Sequence, residues 1–125
     1  MAWNSLIKNL FGGDNNDTVM EEVAGETRPR YENLSGNAFK KQLEASDKAM
    51  LLDVRTAGEF ANGTIRNAKN IDYLSPAFAQ KIQKLDKDTT YFLFCLSGNR
   101  SGQACKMMLK QGFDVRNLSG GIGTF

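Results

Sequence analysis

The 125-residue chain contains no histidine. That absence removes the commonest metal ligand and the usual base partner of a nucleophilic cysteine, so a Cys–His hydrolase and a histidine-held zinc centre are both excluded. Cysteine is scarce, with only Cys95 and Cys105 present. The two have neither the paired spacing of a metal site nor the numbers of a disulfide framework, which points to a reduced, cytoplasmic setting. There is no block of like charge either: 16 Lys and Arg are mixed with 14 Asp and Glu, for a net charge of +2. Without basic clusters interleaved with aromatics, a nucleic-acid partner is excluded. No basic region precedes the apolar residues near the N-terminus, and Asn4, Ser5, Lys8 and Asn9 interrupt them. They are therefore no secretory signal, and they are far too short to span a bilayer.

The composition itself, 41% hydrophobic and 24% charged, suits one globular domain with an additional end segment. Trp3, Leu6, Ile7, Leu10 and Phe11 recur at helical spacing before Gly12 and Gly13, which predicts a short amphipathic helix over residues 3–11. Such a helix either makes weak contact with a membrane surface or partner, or covers an apolar patch of its own domain or of a symmetry mate. Residues 12–30, with Gly, Asp, Asn, Thr, Glu and Arg but few apolar side chains, read as a flexible, solvated linker. Residues 1–30 thus form an N-terminal segment and 31–125 the folded domain.

Within that domain Ser35 caps a short helix bearing Phe39 and Leu43 and ending near Ser46. Residues 50–54 read as a buried strand, 58–62 as a helical turn closed by Gly63, and 68–71 as a brief strand. Ser75 and Pro76 open a helix with Phe78, Ala79, Ile82 and Leu85 on one face. A central strand ends at Cys95, a helix follows Ser101 up to Gly112, and residues 113–118 form the last strand. Strands alternating with helices predict an α/β fold with a largely parallel sheet.

The stretch from residue 91 to 102 is where chemistry concentrates. A continuous apolar run, too short for a helix, stops at Cys95 and gives way to small and polar residues. The next helix carries Ala104, Cys105, Met108 and Leu109 on one face. A thiol at the tip of a parallel strand therefore faces a helix N-terminus, the place where open α/β sheets hold ligands. Gly98 lets the loop curl so that successive N–H groups point at the sulfur. The alternative is that Cys95 is merely the last buried residue of its strand.

Acidity alone does little for such a thiol. Lowering its pKa from about 8.5 to about 6.5 raises the thiolate roughly 25-fold at pH 7. Nucleophilicity falls about 8-fold over the same interval, for a net gain of only about 3-fold. Rate must come mainly from binding an anion and stabilising the leaving group, tasks suited to Arg100 and the loop N–H groups.

The loop Cys95-Leu96-Ser97-Gly98-Asn99-Arg100-Ser101 resembles the active-site loop of the rhodanese family. Leu51-Leu52-Asp53-Val54-Arg55, followed by Glu59-Phe60 and Gly63-Thr64-Ile65, resembles the family's first conserved block. Ala68-Lys69-Asn70-Ile71 and Leu118-Ser119-Gly120-Gly121-Ile122 also fit, so the resemblance covers about residues 31–125. It departs at Thr64, where histidine is frequent, at Asn67, where glycine is usual, and at Phe125, where tryptophan is usual, and it leaves the closing helix a stub.

The resemblance implies a central five-stranded parallel sheet flanked by helices on both faces, together with sulfurtransferase chemistry. Cys95 would take a sulfane sulfur from a donor such as thiosulfate or a persulfide and pass it to cyanide or a thiol. Cys95 and Arg100 are then the catalytic candidates, and Leu96, Ser97, Gly98, Asn99, Arg100 and Ser101 the substrate-binding ones. Asp53, Arg55 and Glu59 would be a structural set beside the site, and Cys105 core, with a resolving thiol as its alternative. No cofactor or metal is implied. The partners are a small anionic sulfur donor and a protein that gives or accepts sulfur.

Two alternatives stay open. One is a non-catalytic rhodanese-like binding or regulatory module. The other is a cysteine phosphatase, whose loop places five residues between cysteine and arginine where this chain has the four from Leu96 to Asn99.

Overall fold

The computed structural model describes residues 6–9 and 17–125. In chain order the elements are β1 (Leu6–Asn9), β2 (Thr18–Val23), β3 (Glu26–Leu34), α1 (Gly36–Ala45), β4 (Ala49–Asp53), α2 (Ala57–Ala61), β5 (Lys69–Asn70), α3 (Phe78–Gln83), β6 (Thr90–Phe94), α4 (Asn99–Lys110) and β7 (Asp114–Leu118), closed by a 3₁₀ turn, Ile122–Thr124. They build one seven-stranded sheet in the order β1-β2-β3-β7-β6-β4-β5. The five strands from β3 to β5 are mutually parallel, so the expected parallel centre is present.

β6 is buried on both faces, which is why it reads as an unbroken apolar run. Its side chains alternate between two cores. Tyr91, Leu93 and then Cys95 join Phe78 and Ile82 of α3 and Ala104, Cys105 and Met108 of α4 on one face. Phe92 and Phe94 join Phe39 of α1 and Leu118 on the other. Phe39 meets the Phe92 ring edge-on at 5.4 Å, a geometry that adds to plain burial. Helices thus cover both faces. α1 starts where Ser35 accepts the Ala38 N–H, as expected of that cap.

Two expectations are corrected. Residues 6–9, placed in an amphipathic helix over 3–11, are the edge strand β1, antiparallel to β2; residues 3–5, 10 and 11 lie outside the described residues. A helix this short is marginal by itself, whereas an open sheet edge satisfies the same backbone groups directly. Residues 18–30, read as linker, are β2 and most of β3, so β3 runs through residue 31. Their two-residue turn is Ala24 and Gly25, both at positive φ (54° and 83°), the geometry that suits the twist of a tight hairpin.

Three of the charges that made this segment look solvated are paired with one another. Glu21 is fully buried and meets Arg28 at 2.9 Å and Arg30 at 3.3 Å. Arg30 also reaches Asp114 at 3.0 Å and donates to the Gly112 carbonyl, clamping the hairpin to the start of β7. The helix after Ser75 and Pro76 begins only at Phe78, because Ser75 Oγ takes the Ala77 N–H into a turn first. No helix among the described residues is long and apolar enough to cross a membrane.

Candidate active site

Cys95 follows the last residue of β6 and is fully buried. Its Sγ accepts the Gly98 N–H at 3.1 Å, the Ser101 N–H at 3.4 Å and the Ser101 hydroxyl at 3.4 Å. The helix starts at Asn99, two residues earlier than the sequence indicates. Ser101 therefore sits in the first turn of α4, where N–H groups have no intrahelical partner and the dipole favours negative charge. Burial pushes the Cys95 thiol up, but the hydroxyl of Ser101 and the N–H groups of Ser101, Ser97 and Gly98 more than offset it, leaving the thiol more acidic than an ordinary cysteine.

The loop is held in this shape from behind. Gly98 lies at φ 97°, and a Cβ there would overlap the Ser119 carbonyl oxygen. Gly121 lies at φ 81°, and a Cβ on it would overlap the Leu96 carbonyl. The Ile122 N–H donates to the Cys95 carbonyl at 2.9 Å, so the closing turn is bonded to the cysteine's own backbone.

Asn117, buried near the end of β7, donates from Nδ2 to the Gly98 carbonyl at 3.2 Å and to Asn33 Oδ1 at 2.8 Å. Asn33 and Asn117 are missed by sequence reasoning. Each is a polar residue at a strand end, and only the β3–β7 pairing that sets them opposite each other reveals the link.

Asp53, Arg55 and Glu59, together with Arg100, form two ion pairs. The buried Asp53 carboxylate accepts from Arg55 through Nε (3.0 and 3.1 Å) and Nη2 (2.7 Å), and from the Arg55 N–H at 3.0 Å. Arg55 also donates to the Gly63 carbonyl at 2.6 Å. Glu59 faces Arg100 instead. Nη1 meets Oε1 at 2.8 Å and Nη2 meets Oε2 at 3.2 Å, a bidentate pair whose side chains are 24% (Arg100) and 31% (Glu59) exposed. Arg100 holds the Glu59 carboxyl down to about 2, and the Thr56 N–H helps. Thr56 and Glu59 also close the capping box of α2.

The remaining sequence-predicted residues spread outward from the sulfur. Leu96 is 60% exposed, Ser97 and Asn99 are exposed, and Ser97 Oγ accepts the Asn99 N–H at 3.5 Å. Cys105 is buried on the core face of α4, and burial pushes its thiol strongly up. No group of three or more His, Cys, Asp or Glu able to hold a metal occurs among the described residues.

The model of the rhodanese-like domain family matches residues 35–125. The chain belongs to the rhodanese family. Among relatives, the Bacillus subtilis protein YtwF is 38% identical over 89 residues, covering 71% of this chain and 84% of that one. A protein named a sulfurtransferase in Allochromatium vinosum is 33% identical over 91 residues, covering 71% and 82%. A crystal structure of a rhodanese-like domain protein from Staphylococcus aureus superposes with a TM-score of 0.65 at 28% identity, covering 74% of this chain and 88% of that one.

Two departures from the commonest rhodanese pattern have structural roles here. Thr64 donates its hydroxyl to Asp53 Oδ2 at 2.9 Å, completing the Asp53 shell without a histidine. Phe125 packs edge-on against Phe39 at 6.1 Å, with Lys40 and Arg66 over its ring, so the short closing turn is anchored to α1.

Proposed function

We propose that this rhodanese-like chain is a sulfurtransferase in which Cys95 carries a sulfane sulfur as a persulfide. The observation that carries the reading is the convergence of two N–H groups and one hydroxyl on Cys95 Sγ at the start of α4. A cluster of donors around sulfur stabilises a thiolate before transfer and a persulfide anion after it. A merely structural buried cysteine needs none of them.

In the loading step the Cys95 thiolate attacks the outer sulfur of the donor. The Sγ–S bond forms as the donor's S–S bond breaks, and the electron pair leaves on the departing group, sulfite from thiosulfate or a thiolate from a persulfide. In the unloading step an acceptor thiolate or cyanide attacks the outer sulfur of the Cys95 persulfide, and the Cys95 thiolate is the leaving group. A more acidic thiol is the better leaving group, so the same donors serve both halves. Leu96, Ser97 and Asn99 line the outer part of the loop, where the second sulfur and its carrier would lie, and Arg100 stands at its rim.

The reading is tested by mass. The reduced protein, incubated with thiosulfate or with cysteine persulfide, should gain the mass of one sulfur atom, and Cys95→Ser should gain none. A wild-type protein that gains no sulfur from either donor refutes the reading.

A further inference from the structure

The charge at the mouth of the site is already spent. Both Nη atoms of Arg100 bind the Glu59 carboxylate, and Arg55 is bound just as closely to Asp53. Glu59 is not free to swing aside. Its Oε1 also accepts the Thr56 N–H and the Thr56 hydroxyl, both at 3.1 Å, so moving it opens the start of α2. The guanidinium at the rim thus already holds a carboxylate of its own. An approaching anion meets a neutralised pair where the sequence alone promises an uncommitted cation. Beside Cys95, meanwhile, the exposed neighbour is the apolar Leu96.

These features weigh differently on the two donor classes. Thiosulfate arrives as a dianion and leaves behind a sulfite dianion, so its transfer needs a free cation both at entry and at departure. An organic persulfide, RSSH, brings its sulfane sulfur on a neutral or singly charged group. It leaves as a monoanionic thiolate that takes a proton from water, and its R group has an apolar side chain to lie on.

We propose that the Glu59–Arg100 pair sets the donor class of this site, disfavouring thiosulfate and favouring organic persulfides. The inference rests on the reading that Cys95 becomes a persulfide. Glu59 acts through Arg100 and is a positioning residue.

The test compares loading of Cys95 by thiosulfate and by cysteine persulfide in wild type and in Glu59→Gln. The variant keeps an Oε1 acceptor for Thr56 while freeing the Arg100 charge. Its kcat/KM for thiosulfate should rise on the order of tenfold while that for cysteine persulfide stays within about twofold, and the gain should fade as salt is added. An unchanged or lowered thiosulfate value, with persulfide loading intact, overturns the inference.

Should Glu59→Gln fail to fold, wild type alone decides. A committed Arg100 gives thiosulfate loading a flat dependence on ionic strength, and a steep decline with salt overturns the proposal. If neither donor loads Cys95, the persulfide reading falls and takes this inference with it, an outcome distinct from intact loading with the wrong selectivity.

Discussion

Ser101→Ala isolates the side-chain donor on the Cys95 sulfur. The hydroxyl lies 3.4 Å from Sγ, and Ser101 is fully buried, so no water takes its place at the sulfur. A hydrogen bond to a charged group contributes about 1.5–3 kcal/mol, and this long contact to sulfur belongs below that range, at about 1 kcal/mol. The thiol pKa should then rise by about 0.7. At a pH below both values the thiolate falls about fivefold while its nucleophilicity rises about twofold, so alkylation by iodoacetamide slows about two- to threefold. Above both values every thiol is ionised, and the more basic variant should react about twice as fast as wild type.

The two pH–rate profiles must therefore cross. A purely structural role for Ser101 predicts profiles that keep one ratio at every pH. Parallel profiles, or an unmoved midpoint, would refute the claim that the hydroxyl tunes this sulfur.

The other expectations concern the frame around the loop. Gly98→Ala puts a Cβ into the Ser119 carbonyl at a backbone φ of 97°, so it should cost about 2–4 kcal/mol in urea unfolding and slow alkylation of Cys95. Glu59 has a folded pKa of about 2, below its unfolded value near 4.3, so its contribution to stability is complete above about pH 5 and is lost as pH falls through 4.3 toward 2. The stability difference between wild type and Glu59→Gln, measured by urea unfolding across that range, should shrink accordingly. Glu21→Leu strips a buried guanidinium, Arg30, of one of its carboxylates and should destabilise by about 3 kcal/mol without moving the Cys95 pH–rate profile.

What the sequence made legible, and what it hid, separates along local lines. β6 and α4 announce themselves because each satisfies its own rule over consecutive residues, an unbroken apolar run and a helical stripe, and Cys95 lies at their junction. The Ser35 cap and the Gly112 turn at φ 92° are local in the same sense. The β2–β3 hairpin is not. Glu21, Arg28 and Arg30 look like solvated charges until pairing brings Glu21 against both arginines and Arg30 against Asp114, whose sequence position is remote. The partner of Arg100 is hidden for the same reason. Its commitment to Glu59 spans 41 residues, and no periodicity carries that information.

The two cysteines show that burial is not what prepares a thiol for chemistry. Cys95 and Cys105 are both fully buried and belong to the same core cluster, on one strand–loop–helix unit. Burial raises the pKa of each. Around Cys95 that rise is overcome by donors at the start of α4; Cys105, farther along the same helix, lies where the N–H groups are spent on the helix's own carbonyls. Lying ahead of the start of α4 or within it thus sends two identical side chains in opposite directions. At neutral pH a limiting amount of iodoacetamide should label Cys95 alone in the folded protein, and both cysteines once urea has unfolded it. Equal labelling of the two in the native state would mean that the donors around Cys95 do not outweigh its burial.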